Sequence, residues 1–378
     1  MRVVVCSEVQ WRYVRTRKQQ ILERLPADWP ILFLQSYVRG RPNTWRPRRD
    51  GRVVVATVPA FKSIPNPRLR RLLDVGLARA FGNLVLWAWV SWVRAATGFG
   101  GRGVALYVSN IYFGRVLRFL PRRVAVYDCN DNHLAFPGTP AWALGYLERV
   151  VRGVDAVVVS SPLLRAEVEP FAPRRVLEIG NGVDAALFER AATAPHLPAE
   201  MAALPRPRIG YAGALAEWID LDLMEHVARS FPHATLVLVG PAVGPNVRPA
   251  ERFAALPNVH WLGPKPHDEL PHYVAAMDVC LIPFRITPLT YGVNPNKLWE
   301  YFALGKPVVC TDFSPFVHPF AHLTHVAATP AAFVEAVAAA LAQPGDAAPR
   351  RAAARARDWG TSARAMAELF RELAAGWR

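Results

Sequence analysis

The chain has 378 residues, 52% of them apolar, with 45 Lys and Arg against 30 Asp and Glu, a formal net charge of +15, and four cysteines. That composition excludes a disordered chain, a disulfide scaffold and a collagen-like fibre, and the length predicts two domains, each large enough to bury its own core. The charge is lopsided: residues 1–190 hold 29 basic and 14 acidic side chains, residues 191–378 hold 16 of each, and residues 1–80 alone carry +12. Unless the basic runs are only solvated faces, a field of that sign favours an anionic partner, whether nucleic acid, phospholipid or a phosphorylated acceptor.

In chain order, Met1-Arg2-Val3-Val4-Val5-Cys6 enters a strand without the n-region, apolar core and cleavage site of a secretory signal, which predicts a cytosolic (cytoplasmic) chain. Further strands are predicted at Ile31–Gln35, Val53–Val58, Val104–Val108, Val124–Tyr127, Ala156–Val159 and Val176–Ile179. Helices are predicted at Val14–Leu25, Arg68–Ala95, Ala141–Arg152 and Pro162–Glu169. The longest apolar stretch, Leu84–Val93, falls short of the ~20 residues needed to span a bilayer. Trp87, Trp89 and Trp92, preceded by Arg68, Arg70, Arg71 and Arg79, fit either an interfacial helix on phospholipid or a helix packed in the first domain's core.

The βα rhythm weakens at Arg190–Pro207, which is rich in Ala and Pro and reads as a linker. It resumes with strands at Ile209–Tyr211, Leu236–Val239, Val259–Trp261, Val279–Ile282 and Val308–Thr311, and helices at Leu221–Arg229, Leu270–Ala276, Pro295–Leu304 and Ala331–Ala342. The expected organisation is an α/β protein of two doubly wound, Rossmann-like domains: 1–190 (basic), a linker at 191–207, 208–349, and one or two C-terminal helices in 350–378. In such sheets ligands bind beyond the carboxyl ends of the strands, and two facing domains put the site in their cleft. Cys6, Cys129, Cys280 and Cys310 sit singly in or beside apolar runs and read as buried thiols in a reducing compartment, not metal ligands.

Three loops after second-domain strands carry candidate chemistry. The most informative runs from Arg285 to Asn294 and precedes Pro295-Asn296-Lys297-Leu298-Trp299-Glu300. Asn294 is placed as an N-cap and Pro295 at the first helical position, so the helix would offer free N–H groups and a positive dipole to phosphate. Lys297 adds a full charge where a cation is unfavourable unless an anion is near, and Glu300 is placed to accept both hydroxyls of a ribose. The alternative is a Lys297–Glu300 surface pair at i,i+3. The second loop, Gly210-Tyr211-Ala212-Gly213-Ala214-Leu215, has glycines that let backbone N–H groups approach a diphosphate. The third, Leu262-Gly263-Pro264-Lys265-Pro266, exposes backbone to a base edge or is a plain turn.

In the first domain, Tyr127-Asp128-Cys129-Asn130-Asp131-Asn132-His133 lies at and past a strand's carboxyl end. Asp131 and His133 are candidates for holding or deprotonating an acceptor hydroxyl, with Asp128 an acceptor contact, unless these are caps or turn residues. Trp11, Arg15 and Arg17, just after the first strand, are candidates for a lipid diphosphate. No second ligand set accompanies the cluster, and no metal is expected.

Asn181-Gly182-Val183-Asp184, Gly210-Tyr211-Ala212-Gly213, Asn258 to Gly263, Met277 to Phe284 and Lys297 to Val309, in this order, resemble GT-B nucleotide-sugar glycosyltransferases close to glycosyltransferase family 4. The subgroup most resembled includes teichuronic-acid and exopolysaccharide enzymes. The resemblance is specific in the second domain and looser in the first, through Tyr127–Asp131 and Val157–Ser161. It implies transfer of a sugar from a UDP- or GDP-sugar, with retained configuration and without bound metal or other cofactor, in polysaccharide biosynthesis at the cell envelope.

Glu300 matches the second glutamate of the family's E-x7-E motif, the one expected on the ribose. Gly292 stands where the first glutamate would be, and the Arg and Lys usual after the glycine loop fall on Ala214 and Ile219. The resemblance therefore shifts phosphate binding to Gly213 and Ala214 backbone, Asn294, Lys297, and Lys265 or Arg285. The leading expectation is a lipid-linked or polymeric cell-surface glycan as acceptor, with the basic first domain suiting either an anionic acceptor or peripheral contact with an anionic membrane. Competing readings are a nucleotide-sugar epimerase or a phosphorylase on the same fold, and a basic nucleic-acid-binding protein, although no nucleic-acid module is present and none is expected as a partner.

Overall fold

A computed structural model describes residues 1–13, 15–60, 66–193, 196–244 and 247–376. Val14, Ala194, Pro195 and Trp377, at predicted helix ends or in the predicted linker, lie outside the described residues. The chain divides into two compact units, Met1–Gly180 with Gly360–Arg378, and Asn181–Trp359.

The first unit's strands are β1 (Arg2–Ser7), β2 (Ile31–Ser36), β3 (Arg48–Asp50), β4 (Val53–Val58), β5 (Val104–Val108), β6 (Val124–Cys129), β7 (Ala156–Val159) and β8 (Val176–Glu178). They form one sheet in the order β3-β4-β2-β1-β5-β6-β7-β8. Every pairing is parallel except β3–β4. The Val-rich runs that predicted strands are buried on both faces, as a helix-covered parallel sheet requires. All seven strands predicted here are present. Arg48–Asp50 carried no apolar pattern and forms a short antiparallel edge, whose charged side chains suit a position that must not recruit another strand.

Helix α1 is Arg17–Glu23, opened by Thr16, whose backbone N–H donates to Gln19 Oε1 at 3.0 Å. The single helix predicted over 68–95 is two helices, α2 (Pro67–Asp74) and α3 (Gly76–Ala96), meeting at a 98° bend. Val75 between them is extended (φ −77°, ψ 122°), which ends one helix and begins the next. Asn66 caps α2, its side chain accepting from the Arg68 and Leu69 N–H groups.

The second unit holds β9 (Arg208–Ala212), β10 (Thr235–Val239), β11 (Val259–Trp261), β12 (Val279–Ile282), β13 (Val308–Thr311) and β14 (His325–Ala327). They form a wholly parallel sheet ordered β11-β10-β9-β12-β13-β14. All five predicted strands are present, and the short edge strand β14 was not expected. Both sheets reverse direction of growth once, between β1 and β5 in the first unit and between β9 and β12 in the second. Loops leaving the carboxyl ends of those strands flank a natural ligand position in each.

The expected boundary at Arg190 falls instead at Gly180, and 191–207 is not a bare linker. The end of the Ala185–Thr193 helix and the Ala199–Ala202 helix fall within it, and Ala191 and Met201, like Phe188 just before, are buried in the second unit. The expected C-terminal helices are Ala347–Arg355 and Trp359–Ala375. The latter returns to the first unit, where Phe370 meets Trp29 at 6.5 Å and Arg123 donates to the Ala374 carbonyl at 2.6 Å. All four cysteines are buried and unbridged, and burial pushes each thiol up to about 12.

Candidate functional site

In the second unit, the loops leaving β9 and β12 are joined to each other. Asp220 N–H donates to Pro283 O and Arg285 N–H to Trp218 O, both at 2.8 Å, and Ile219 bridges to Phe284. Gly213 N–H is used on Val239 O and Leu215 N–H on Pro241 O, at 2.8 and 2.9 Å. Among the described residues the Ala214 N–H between them has no hydrogen-bond partner. Gly213 is required for close approach: a Cβ there would lie 2.5 Å from Lys297 Cε and 2.7 Å from the Tyr211 hydroxyl. Gly240, at φ +141°, passes beneath it, where a Cβ would meet Gly213 O at 1.9 Å.

Lys297 thus packs directly on the glycine loop. It stands in the first turn of the Asn296–Ala303 helix, with Nζ 3.0 Å from Glu300 Oε2. The i,i+3 pair weighed as the alternative is therefore formed, and it lies against the glycine loop that was expected to approach a diphosphate. Both side chains keep some exposure, 20% and 13%. Tyr301 fastens the helix to β9 by accepting from Ala212 N–H at 2.9 Å. Buried Tyr211 has its pKa raised, first by desolvation and then by the Glu300 charge, so the carboxylate stands beside the loop. The Asn296 side-chain oxygen is buried without a partner among the described residues.

One sequence expectation, the Asn294 cap, needs correction here, and the two further candidate cations have carboxylate partners. The residue capping the helix is Pro295, without a side-chain cap, and not Asn294. Asn294 is buried, its Oδ1 accepting from Trp299 Nε1 at 2.9 Å and its carbonyl from Asn181 Nδ2 at 2.7 Å, so it shapes the turn rather than facing solvent. Lys265 donates to both oxygens of Glu200, at 2.8 and 2.6 Å, and lies over the Tyr273 ring. Arg285 pairs with Asp220 and Asp222 at 3.6 and 3.2 Å. Both cations are thus already engaged. Ile219, at the family's Lys position, is 1% exposed.

In the first unit, β6 runs two residues beyond its predicted end, and Asp128 lies within it, fully buried. Arg17 Nε donates to both its oxygens at 3.0 Å, Tyr107 donates its hydroxyl to Oδ2, and Arg17 Nη1 donates to Gly180 O at 2.8 Å. Trp11 is also buried, its ring tilted against Phe33 at 5.1 Å and donating to Asp50 at 2.9 Å, while Arg15 pairs with Glu23. The acceptor contacts expected of Trp11, Arg17 and Asp128 are corrected accordingly: these side chains face the core and brace the strand ends.

Sequence reasoning missed the charged pair beside them. Glu8 follows β1 immediately, 2.5 Å from buried Lys18 Nζ, and accepts from the Ser109 hydroxyl at 2.8 Å. Lys18 also donates to Asn130 at 3.1 Å. Burial alone would raise the Glu8 pKa, but Lys18 and His133 hold it below the usual carboxylate range. The one available signal was an acidic residue at a strand's carboxyl end.

His133 lies against this pair, its ring 6.3 Å from Tyr127 and 6.2 Å from Phe136. Its Nε2 is buried without a partner among the described residues, and burial lowers its pKa to about 4, against the pull of Glu8. It is a neutral imidazole at pH 7, able to orient a hydroxyl. Asp131 accepts from the Asn130 side chain. Among the described residues, no three His, Cys, Asp or Glu side chains converge as a metal site.

Residues 206–343 match the family model described as Glycosyl transferases group 1. The chain is 30% identical over 270 residues to "Putative teichuronic acid biosynthesis glycosyltransferase TuaH" of Bacillus subtilis (strain 168). The match takes in 66% of this chain and 65% of that protein, slightly under two thirds of the relative's length. Among solved structures, it is similar to sucrose-phosphate synthase of Thermosynechococcus elongatus (TM-score 0.72, 16% identity, 99% of each chain). It is also similar to HepE of Anabaena in complex with UDP (TM-score 0.66, 15% identity, 98% of this chain and 100% of that one). α,α-Trehalose 6-phosphate synthase of Burkholderia multivorans superposes with a TM-score of 0.71 at 13% identity, over 99% of this chain and 98% of that one. The chain therefore has the GT-B fold of two Rossmann-like units, and the stretch of its second unit from 206 to 343 is similar to group 1 glycosyl transferases.

Proposed function

We propose that the protein is a glycosyltransferase that moves a sugar from a nucleotide-diphosphate sugar, UDP-linked in the first instance, to a lipid-linked or polymeric cell-surface glycan. The observation that carries this reading is the packing of Lys297 on Gly213, with Glu300 one turn on, where β9 and β12 part. The Ala214 N–H, the helix N-terminus and Lys297 are suited to a diphosphate, and Glu300 to ribose hydroxyls. UDP in the HepE structure supports the choice of nucleotide, and the similarity to the Bacillus teichuronic acid glycosyltransferase supports an envelope polysaccharide.

In the reaction, the bond from the anomeric carbon to the diphosphate oxygen breaks and a bond to the acceptor hydroxyl oxygen forms. The departing diphosphate gathers negative charge, which preorganised N–H groups and Lys297 stabilise. If the route is front-side, with retention, the leaving oxygen itself takes the acceptor's proton. His133, neutral at pH 7, then orients the hydroxyl rather than deprotonating it, and Asp131 is the second candidate for that contact.

The test is thermal stabilisation against UDP-, GDP-, ADP- and dTDP-sugars, in EDTA and in magnesium, followed by transfer assays and the anomeric configuration of the product. Stabilisation by one nucleotide class, equal in EDTA, with a retained product is the expected result. Consumption of the nucleotide sugar with no acceptor would indicate an epimerase instead, and no response to any nucleotide sugar would overturn the reading.

A further inference from the structure

Helix α3 is apolar on two opposite sides. Leu86, Val90 and Val93, spaced i, i+4 and i+7, are buried in the first unit's core. Leu77, Phe81 and Leu84 repeat the same spacing half a turn away and are 84%, 68% and 57% exposed, with Trp92 further along their side at 51%. Val75 at the bend and Leu72 on α2 are also exposed, while α2 buries Leu73. Soluble monomers rarely leave so continuous an apolar face open.

Three further observations say what covers it. First, exposed Arg68 and Arg71 stand on α2, and among α2 and α3 only Asp74 is acidic, within a segment, residues 1–80, that carries +12. A second copy of this surface would bring like charges together, whereas lipid phosphates would neutralise them. Second, the aromatic rings continue off the helix: Trp92 meets Trp89 at 5.4 Å, Trp89 meets Trp45 at 5.8 Å, and Trp45 stacks on Tyr37 at 5.7 Å. Rings with one apolar and one wet side favour headgroup depth. Third, although α2 and α3 taken together are long and apolar enough for a bent span, they meet at 98° and the protein core already holds the Leu86, Val90 and Val93 side of α3, leaving only the opposite side for lipid. The pair is therefore built to lie along a bilayer rather than through it.

We propose that the α2–α3 face docks the first unit on an anionic phospholipid surface, with Leu77, Phe81 and Leu84 at the acyl boundary, Trp92 among the headgroups, and Arg68 and Arg71 on lipid phosphates. The proposal does not require glycosyl transfer and names a surface separate from the Gly213–Lys297 site.

The experiment is vesicle flotation of the full chain without nucleotide sugar, using phosphatidylcholine alone and phosphatidylcholine with about one-third phosphatidylglycerol. Wild type should float with the anionic vesicles, less so as salt rises, with a blue shift in tryptophan emission. A Leu77→Ser/Phe81→Ser/Leu84→Ser variant, and separately Arg68→Gln/Arg71→Gln, should each lower partitioning about ten-fold or more while keeping the wild-type melting temperature. Wild type left in the dense fraction, or an apolar variant that floats equally well, overturns the proposal. So does a dimer in sedimentation velocity that the serine variant dissolves, because the face then belongs to a second copy. Each outcome is independent of UDP binding, so failure here leaves the donor reading intact, and the reverse.

Discussion

Replacing Lys297 by alanine removes the full positive charge nearest the glycine loop. A charge-assisted contact to a diphosphate contributes about 1.5–3 kcal/mol, so UDP affinity should fall roughly 10- to 150-fold. Wild type at a UDP concentration of about 100 times its dissociation constant gains about 2.7 kcal/mol. For a cooperative unit of this size that raises the melting temperature by about 5–10 °C. At the same concentration, a ten-fold weaker variant gains only about 1.4 kcal/mol, and a hundred-fold weaker one about 0.4 kcal/mol, so half or more of the shift disappears. The variant's ligand-free melting point should hardly move, since an i,i+3 pair contributes about 0.2–0.5 kcal/mol. Lys265→Ala is the internal comparison: its amine is held by Glu200, so the UDP shift should survive. Scanning calorimetry with and without UDP reads both. A full UDP shift in Lys297→Ala, or an equal loss in Lys265→Ala, would refute the assignment of the diphosphate to the Gly213–Lys297 contact.

Gly213→Ala puts a methyl 2.5 Å from Lys297 Cε and 2.7 Å from the Tyr211 hydroxyl, so both the flexible lysine and the buried ring must give; titration calorimetry should show UDP weakened, with Lys297→Ala costing little more in that background, and the ligand-free melting temperature should also fall. Arg17→Met strands buried Asp128 without its guanidinium and should cost about 3–5 kcal/mol in urea unfolding, against little for exposed Arg12→Met. His133 has a folded pKa of about 4, below the ordinary value of 6.5, so as pH falls through that window the unfolded chain binds a proton that the native protein does not, and stability drops. Between pH 7 and pH 5 the loss should be at most about 2 kcal/mol in wild type relative to His133→Gln, read from paired urea titrations; equal pH slopes in the two proteins would show the ring is not held neutral.

The second-unit cluster could be picked out because its members are local in sequence. The glycines of one strand-to-helix turn and the Lys297–Glu300 spacing of one helical turn sit within a few residues, and only their meeting required the fold. The first-unit cluster was misread because its partners are remote: Arg17 and Asp128 are 111 residues apart and meet only because β1, β5 and β6 are neighbours in the sheet. Ending β6 two residues early turned a buried strand position into an apparent loop ligand. Glu8, with Lys18, carried no compositional mark at all. The single long helix predicted through Val75 failed for a similar reason, since helical spacing of apolar residues continues across a break that only one backbone conformation makes.

The departures from the family pattern gain a physical meaning from the same comparison. Ile219 is buried and bridged to Phe284, so a cation at that position would have to be desolvated between two loops. Ala214 offers backbone rather than charge. Two of the three other candidate cations, Lys265 and Arg285, are already bound to carboxylates. Lys297 pairs as well, but with Glu300, the very group proposed to turn to the ribose, so nucleotide binding can exchange that pair for two contacts of opposite kind. Under the proposed function, the electrostatic grip on the diphosphate would thereby be concentrated in one side chain and a set of N–H groups. A site built this way should lose most of its affinity at a single substitution, where one with three independent cations would lose only a share.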